Sequence, residues 1–271
     1  MPHVQVNGTM IYYEMYGSGL PIVFIHDYST SHHLFAPQTE YFSKRAKVIV
    51  FDLRGNGKSG KLDVETSRII DTQCEDLKEL IETLSIDRAV IVASSSGAVL
   101  ALKYASLYPG RVINLILVDS YFNSDVTALG SKVMNTLEII AWASHYLPAE
   151  MFIRSLRITY NNWLLAYHIL KKELIQQRTT ELIKQRLALR YTINCIDLLE
   201  LKMPALYISG DRNNWILEQV KKTASRSPQA QLAVLEDAMY PSHLCQPELF
   251  NRLLLDYLKD QQCFQSVNQY G

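Results

Sequence analysis

A serine flanked by small residues is the strongest chemical signal in this sequence. Ser95 is the centre of Ala93-Ser94-Ser95-Ser96-Gly97, which follows an apolar run and opens an Ala/Leu-rich helical stretch. In a nucleophile elbow, G-x-S-x-G, the serine lies on a tight strand-to-helix turn, so the residues two places away must be small. Alanine at 93 meets that need, and the helix N-terminus favours developing negative charge beside Ser95. The pattern predicts an acyl-transfer nucleophile, with a serine-rich helix cap as the structural alternative.

A second motif is similar in sequence to a phosphate-binding loop. It is Gly55-Asn56-Gly57-Lys58-Ser59-Gly60. It fits G-x-G-x-x-G and contains Gly-Lys-Ser. In a dinucleotide fold, however, the first glycine ends the strand and a helix follows at once, and a P-loop needs glycine where this chain has Asp52. Here Asp52-Leu53-Arg54 intervene, and helical periodicity begins only near Thr72. The motif is therefore not interpreted as nucleotide-binding, and no cofactor is predicted.

Composition limits the classes of partner. The chain has 271 residues, 48% of them hydrophobic, and its 27 basic residues balance 27 acidic ones. That length suits one large α/β domain with an insertion. A neutral chain lacks the basic footprint of a nucleic-acid binder, and no apolar run is long enough to predict a membrane span or a signal peptide. We expect a cytoplasmic protein, by default, with a small-molecule partner.

The cysteines give no metal or redox signal. None of Cys74, Cys195, Cys245 and Cys263 belongs to a C-x-x-C pair, which argues against a zinc knuckle or a redox motif. A chain of this size does not need disulfides, so free thiols in a reducing compartment are expected. Cys245 is interpreted as a buried, inert thiol. No metal site is predicted.

Short apolar runs separated by helical patterns predict the sheet that positions Ser95. Alternating residues around Asn7-Gly8 predict a β-hairpin. Six continuous apolar runs follow, as is typical of strands covered on both faces. They are residues 21–25, 48–51, 89–92, 113–118, 205–208 and 232–235. Strand and helix alternation predicts an α/β fold with a doubly wound, mainly parallel sheet.

The helical segments are predicted from caps and periodicity. Thr72-x-x-Glu75 predicts a capping box at the start of a helix. A second helix follows Ser95 and stops at Pro109-Gly110, and a third lies near the C-terminus. Residues 122–198 show helical patterns and no convincing strand. We interpret them as a helical cap inserted after the sixth strand, between core segments 1–121 and 199–271.

Together these motifs resemble the α/β-hydrolase superfamily, in its capped esterase, epoxide-hydrolase and dehalogenase-like branch. Besides the elbow, three segments carry the resemblance, which spans about residues 4–260. They are His26-Asp27 after the first parallel run, the D-x-R-G-x-G-x-S stretch at 52–59, and Gln246-Pro247-Glu248 before the last helix. The resemblance implies an eight-stranded sheet with a cap.

The same resemblance implies an oxyanion hole formed by the backbone N–H groups of Tyr28 and Ser96. His26 belongs to this loop and is expected to be structural. Asp27 stands where the family usually has glycine. A carboxylate there opposes the negative charge that such a hole stabilises.

The base and acid positions that the resemblance implies hold neither a histidine nor a carboxylate. The base position, seven residues before Pro247, is Tyr240, whose phenol is a feeble base at neutral pH. The acid position, three residues after Gly210, is Asn213, and an amide cannot stabilise an imidazolium as a carboxylate does. Loss of the base of a serine triad costs about 10⁴ to 10⁶ in turnover.

Two residues are candidate substitutes. His243 lies three residues beyond Tyr240 and reaches Ser95 only if the loop is rearranged. Asp119 ends the strand after the elbow helix, where some family members place their acid and others have an aspartate without catalytic duty. Asp211 is the weaker acid candidate, because it follows Gly210 directly. His32 and His33 are expected at the surface.

Three functions remain open at this point. The first is weak or altered ester or acyl chemistry at Ser95, beneath a cap whose aromatic residues give a mostly apolar pocket. The second is a catalytically inactive protein that binds a small ligand or regulates a partner. The third is a lyase or cyclase that uses Tyr240 as a proton donor. The sequence gives neither the substrate nor the oligomeric state.

Overall fold

The computed structural model describes residues 2–120, 149–192 and 197–264. Within these ranges, eight strands form one sheet in the order β1-β2-β4-β3-β5-β6-β7-β8. The strands are β1 His3–Val6, β2 Thr9–Tyr16, β3 Pro21–Ile25, β4 Lys47–Phe51, β5 Ala89–Ser94, β6 Val112–Val118, β7 Ala205–Gly210 and β8 Ala230–Leu235. β2 is antiparallel to β1 and β4, and every other neighbouring pair is parallel. The predicted doubly wound, mainly parallel sheet is confirmed.

Helices cover both faces of the sheet. They are α1 Ala36–Phe42, α2 Ile69–Thr83, α3 Gly97–Leu107, α4 Ala149–Thr159, α5 Leu164–Gln176, α6 Thr179–Thr192, α7 Asn214–Ala224, α8 Ser242–Cys245 and α9 Pro247–Asp260. Every residue of β5 is buried. Ile91 points into the apolar cluster on one face, and Val90 and Val92 into the cluster on the other. Burial on both faces explains why this strand is a continuous apolar run.

The predicted hairpin is confirmed, and its turn explains the sequence. β1 pairs with β2 up to Val6 opposite Thr9, which leaves Asn7 and Gly8 as the loop. Asn7 has φ 43° and Gly8 has φ 72°. A two-residue hairpin loop of this type needs positive φ at both positions, which asparagine and glycine tolerate best.

The predicted capping box at Thr72 is wrong. Helix α2 begins at Ile69, after a short 3-10 turn, and its first residue has no side-chain cap. Ile69 and Ile70 are buried in the core, so packing extends the helix N-terminally past the local cap signal. Thr72 therefore lies within the helix, where it is buried. Tertiary burial here overrides a local sequence preference.

Helices α4, α5 and α6 follow β6 in the chain and precede β7, where the cap is predicted. Part of the proposed cap lies outside the described residues, including Trp142 and Tyr146, two of the cap aromatics expected from the sequence, so the cap boundaries stay a prediction. The described helices include none with the length and apolarity that crossing a membrane requires. Cys74, Cys245 and Cys263 are buried free thiols, as predicted; Cys195 lies outside the described residues.

Candidate active site

Ser95 lies on the tight turn between β5 and α3, where the sequence predicts a nucleophile elbow. Its φ of 50° is in the left-handed region, which is uncommon for a residue other than glycine. Two backbone hydrogen bonds hold the turn: the Ser95 N–H donates to the Val118 carbonyl at 2.9 Å, and the Ser95 carbonyl accepts from Ala98 N–H at 3.0 Å. A Cβ on Gly97 would overlap the His26 carbonyl oxygen, which explains the small residue required there. Ser95 itself is only partly buried.

One of the two expected oxyanion donors is already engaged within the protein. The backbone N–H of Tyr28 donates to Ser96 Oγ at 2.9 Å. The Tyr28 side chain is buried, and its hydroxyl donates to Gln73 Oε1 at 3.2 Å, so the residue is fixed in this position. A substrate oxyanion that used the Tyr28 N–H would have to displace the Ser96 hydroxyl.

Tyr240 and Asp27, the two residues that depart most from the expected catalytic site, contact each other. The Tyr240 hydroxyl donates to Asp27 Oδ2. The other oxygen, Oδ1, accepts from both the N–H and the hydroxyl of Ser29, each at 2.6 Å. Burial and the neighbouring Asp27 carboxylate raise the pKa of the Tyr240 phenol well above its usual value. At neutral pH the phenol is therefore protonated, directs its proton to Asp27, and cannot act as a base.

Asp119 lies at the end of β6 and binds backbone rather than a histidine. Its Oδ2 accepts from the Ser242 N–H at 2.7 Å, and its Oδ1 accepts from the Gly210 N–H at 3.3 Å. Burial raises the pKa of this carboxyl to about 6, although the two backbone donors oppose the shift. These contacts fasten the loop that carries Tyr240 to the edge formed by β6 and β7.

The two other triad candidates lie in unrelated environments. Asn213 is exposed and caps α7, where its side chain accepts from the Ile216 N–H at 3.1 Å. His243 is buried between Phe35 and Phe250, with ring centroids 4.7 and 5.7 Å away. Burial lowers its pKa to about 3. In the part of the chain that the structure describes, no hydrogen bond joins the His243 ring to Ser95 or Asp119.

The histidines near the oxyanion loop hold backbone and carboxylate groups. His26 is buried; its Nε2 accepts from the Leu53 N–H at 3.0 Å, which places the proton on Nδ1, 2.6 Å from the Asp27 carbonyl. Burial lowers its pKa, so it is neutral. The expectation that His32 lies at the surface is wrong, because its N–H and Nδ1 both contact the buried Asp52 carboxylate, at 2.8 and 2.7 Å.

The glycine-rich stretch after β4 supports the oxyanion loop. Asn56 Nδ2 donates to the carbonyls of Tyr28 and Thr30 at 2.9 and 3.1 Å. Arg54 forms a buried ion pair with Asp76 at 2.6 Å. The D-x-R-G-x-G-x-S motif thus positions the backbone of the site, and its side chains are engaged with the protein itself.

Comparison with known proteins identifies the family to which this fold belongs. The family model for the alpha/beta hydrolase fold matches residues 21–153. The chain belongs to the α/β-hydrolase superfamily. The AB hydrolase superfamily protein YisY of Bacillus subtilis is 29% identical to this α/β-hydrolase over 109 residues, 40% of each chain. The first curated relatives are matched over less than half of their own length.

Solved α/β-hydrolase structures match this chain nearly end to end. A thermophilic esterase from Thermogutta terrifontis superposes with a TM-score of 0.83 over 96% of this chain and 99% of its own, at 22% identity. Est816, an N-acyl homoserine lactone degrading enzyme, superposes with a TM-score of 0.77 over 94% of this chain and 100% of its own, at 25% identity. These likenesses establish the fold of the whole described chain.

The connection between α4 and α5 reaches the loop that carries Tyr240 in this α/β-hydrolase. The Tyr160 hydroxyl donates to the Tyr240 carbonyl. Trp163 Nε1 donates to the Asp237 carbonyl at 3.1 Å. The candidate base position is therefore held from the oxyanion loop on one side and from the cap on the other.

Sequence reasoning missed a buried carboxyl, Glu173 on α5. It is 4% exposed and accepts a hydrogen bond from Ser31 Oγ at 2.9 Å. Burial raises its pKa to about 7, and the negative Asp52 adds to the effect. No local pattern marks this residue, because its burial arises only when the cap docks on the oxyanion loop.

Proposed function

We propose that this α/β-hydrolase binds a small, mostly apolar ligand at the Ser95 elbow and cleaves ester or related acyl bonds weakly or not at all. The observation that carries the proposal is the hydrogen bond from Tyr240 to Asp27. It fills the base position with a protonated phenol that points its proton at a carboxylate.

A serine hydroxyl attacks well only when a base takes its proton. Tyr240 is unable to do so at neutral pH. His243 has a pKa of about 3 and is packed between two phenylalanine rings. Asp119 holds two backbone N–H groups. With no base in place among the described residues, turnover is expected to be about 10⁴- to 10⁶-fold below that of a complete triad.

The oxyanion side weakens acyl chemistry further. The Tyr28 N–H already has a partner in Ser96, and Asp27 adds an acceptor to a loop that normally presents donors. Electrostatic stabilisation of the developing oxyanion is a major part of acyl-transfer catalysis. Among the residues that the structure describes, the site therefore has no base in place and offers a poor oxyanion hole at the same time.

Binding remains supported by the parts that are intact. The elbow keeps its geometry, Ser95 is accessible, and the oxyanion loop is rigidly held by Asn56 and His26. Relatives of the same fold process small molecules, among them acyl homoserine lactones. A rigid site of this kind suits retention of a ligand that carries an acyl or lactone group.

The lyase or cyclase hypothesis receives less support. A proton donor must release its proton, but burial and Asp27 raise the pKa of Tyr240 well above its usual value. The same contact that excludes Tyr240 as a base makes it a weak acid.

Fluorophosphonate labelling tests the absence of an activated serine. The wild-type protein is expected to label no faster than Ser95→Ala, and to hydrolyse p-nitrophenyl butyrate at the rate of that variant. Rapid labelling that disappears in Ser95→Ala would contradict the proposal.

A set of variants that supplies a base at position 240 tests why Ser95 is not activated. Tyr240→His combined with Asp27→Gly is expected to gain labelling, with or without Asn213→Asp. Tyr240→Phe combined with Asp27→Gly is the matched control and should gain none, because it also breaks the Tyr240–Asp27 contact but supplies no base. Equal labelling of the two combinations would show that the missing base is not what limits the wild-type protein.

Calorimetric titration with an N-acyl homoserine lactone tests binding. Saturable heat without lactone opening is expected from the wild-type protein, and a bulky Ser95→Trp variant should lose it. Absence of saturable heat for this lactone and for p-nitrophenyl butyrate would contradict the binding part of the proposal.

A further inference from the structure

A second cavity, of about 360 Å³, lies between β2 and α1. Its floor includes Glu14 and Val50, which are direct partners in the β2–β4 ladder. Ala36 and Glu40, one turn apart on α1, form the opposite wall, and His32 and His33 close one end. We call it the Glu14 cavity. None of the residues assigned to the Ser95 site lines it, so it is a separate space.

The charge in the Glu14 cavity is negative. Burial alone would raise the pKa of Glu14, but hydrogen bonds from Tyr12 and Tyr16 hold it below its usual value, so the carboxylate is ionised. Glu40 adds a second carboxylate at the exposed rim. Burial lowers the pKa of His33 to about 4, so its imidazole is neutral at pH 7. The described residues that line the cavity include no lysine or arginine, although the charges of Lys172 and Lys58 act on His33.

Glu14 is held in place before any ligand arrives. The Tyr16 hydroxyl donates to Glu14 Oε2 at 2.7 Å, and the Tyr12 hydroxyl donates to Oε1. His32 Nε2 lies 3.6 Å from the same Oε1, while its Nδ1 is fixed on Asp52. Lys58 stands behind Tyr12, 3.0 Å from that hydroxyl, and does not line the cavity. A preorganised carboxylate loses little freedom when it binds a cation.

The remaining walls combine apolar and aromatic surface with the hydroxyl-bearing side chains of Thr39 and Ser43. Val50 is buried, Ala36 presents only a methyl group, and the rings of Tyr16 and His33 provide aromatic surface. Aromatic faces attract a cation as well as an apolar group. The volume is within the range of about 300–1,000 Å³ in which proteins hold small molecules.

We propose that the Glu14 cavity binds a small primary amine in its protonated form, with the ammonium group at Glu14 and Glu40 and the hydrocarbon body against Ala36 and Val50. This site is independent of the one proposed at Ser95. A protonated amine satisfies the two carboxylates, and a neutral alcohol of the same shape does not.

Titration calorimetry with phenethylamine, protonated at pH 7, tests the site, with 2-phenylethanol as the neutral control ligand. The wild-type protein is expected to bind phenethylamine at a ratio of one to one with a Kd of about 1 mM or tighter. The alcohol should bind at least about tenfold more weakly, because it cannot form a hydrogen bond between two charged groups. No saturation by the amine, or equal binding of the two ligands, would overturn the proposal.

Substitutions in and outside the Glu14 cavity test where the amine binds. Glu14→Gln is expected to weaken amine binding about tenfold or more, and Glu65→Gln, an exposed glutamate on another loop, should leave it unchanged. Ala36→Trp fills the cavity from an exposed helical position and should abolish binding even if Glu14→Gln disturbs the tyrosine contacts. Lys222→Trp on α7 is its control, and Ser95→Ala should bind the amine normally. Amine binding that survives Ala36→Trp would place the ligand elsewhere and overturn the assignment.

Discussion

At the scale of single residues, Asp27 and Tyr240 act as a pair. Without Tyr240, the Asp27 carboxylate would keep its two Ser29 donors on Oδ1 but would have no donor on Oδ2. Without Asp27, the Tyr240 hydroxyl would lose its acceptor. Together the phenol supplies the carboxylate with a donor. A buried charged group that lacks a hydrogen bond lowers the stability of the fold, so each of the two residues reduces the loss of stability that the other would cause. The altered site is therefore a self-consistent arrangement of this chain.

Tyr240→Phe is expected to destabilise the fold by about 1–3 kcal/mol, because it leaves Asp27 Oδ2 without its donor. In the Asp27→Ala background the same change should cost much less, since the carboxylate is gone. Urea unfolding of the two single variants and the double variant gives the coupling energy, expected to be about 0.5–3 kcal/mol. Strictly additive effects would show that the contact contributes nothing to stability.

At the scale of elements, the turn at Ser95 is held in place because α3 begins directly against the loop after β3. Gly97 is the point of closest approach: any Cβ there would overlap the His26 carbonyl. The strained Ser95 turn, the loop after β3 and the start of α3 thus form one rigid unit. The sequence requirement for a small residue two places after the serine follows from this packing.

Gly97→Ala is expected to destabilise the protein by about 1–3 kcal/mol or more, since α3 and the loop must move apart. Gly110→Ala is the matched control, because an added Cβ there meets open space. It should change stability by less than about 0.5 kcal/mol. Urea unfolding of both variants provides the comparison; a Gly97→Ala protein as stable as Gly110→Ala would contradict the close approach.

The contact of α5 with the oxyanion loop should depend on pH through Glu173. Its folded pKa of about 7 is raised above its ordinary value. A raised carboxyl pKa means that the folded state holds the proton more tightly than the unfolded state does. The contribution of Glu173 to the free energy of unfolding is therefore complete at low pH. It is lost as pH rises from about 4.5 to 7, by about 3 kcal/mol in total, and is constant above that.

Glu173→Gln, which keeps the shape of the protonated acid, should abolish this loss. The difference in unfolding free energy between wild type and variant is expected to grow from pH 4.5 to 7 in favour of the variant. Glu218→Gln, at an exposed position on α7, serves as the control and should leave the pH profile unchanged. Parallel profiles for wild type and Glu173→Gln would contradict the assignment.

At the scale of the whole molecule, the sequence predicted the features that repeat locally. Runs such as 89–92 marked strands because both faces of the sheet are buried, and Asn7-Gly8 marked a turn that needs positive φ. Properties that arise between distant segments were not predictable. The contact between Asp27 and Tyr240 joins residues 213 positions apart, and Glu173 meets Ser31 across 142. His32 was wrongly predicted to lie at the surface, because the local sequence gives no sign of its contact with the buried Asp52.

These distant contacts also join the cap to the core. Six cap residues donate to or accept from core groups in the described ranges: Tyr160 with Tyr240, Trp163 with Asp237, Glu173 with Ser31, Arg178 with Gly57, Glu181 with Leu62, and Gln185 with Arg54 and Asn56. Several of them end on the oxyanion loop or on the stretch that supports it. Loss of the cap contacts would therefore loosen the elbow region as well.

Cap and core are expected to unfold in one cooperative transition. Trp163 reports the junction, because its indole N–H donates to the Asp237 carbonyl at 3.1 Å. Of the three tryptophans in the chain, Trp142 and Trp215 are replaced by phenylalanine, so that Trp163 is the sole indole fluorophore. Its fluorescence and the far-ultraviolet circular dichroism should then share one urea midpoint, as a two-state transition requires. A fluorescence transition at clearly lower urea would mean that the cap separates first, because these seven hydrogen bonds do not bind it to the core strongly enough to make one unit.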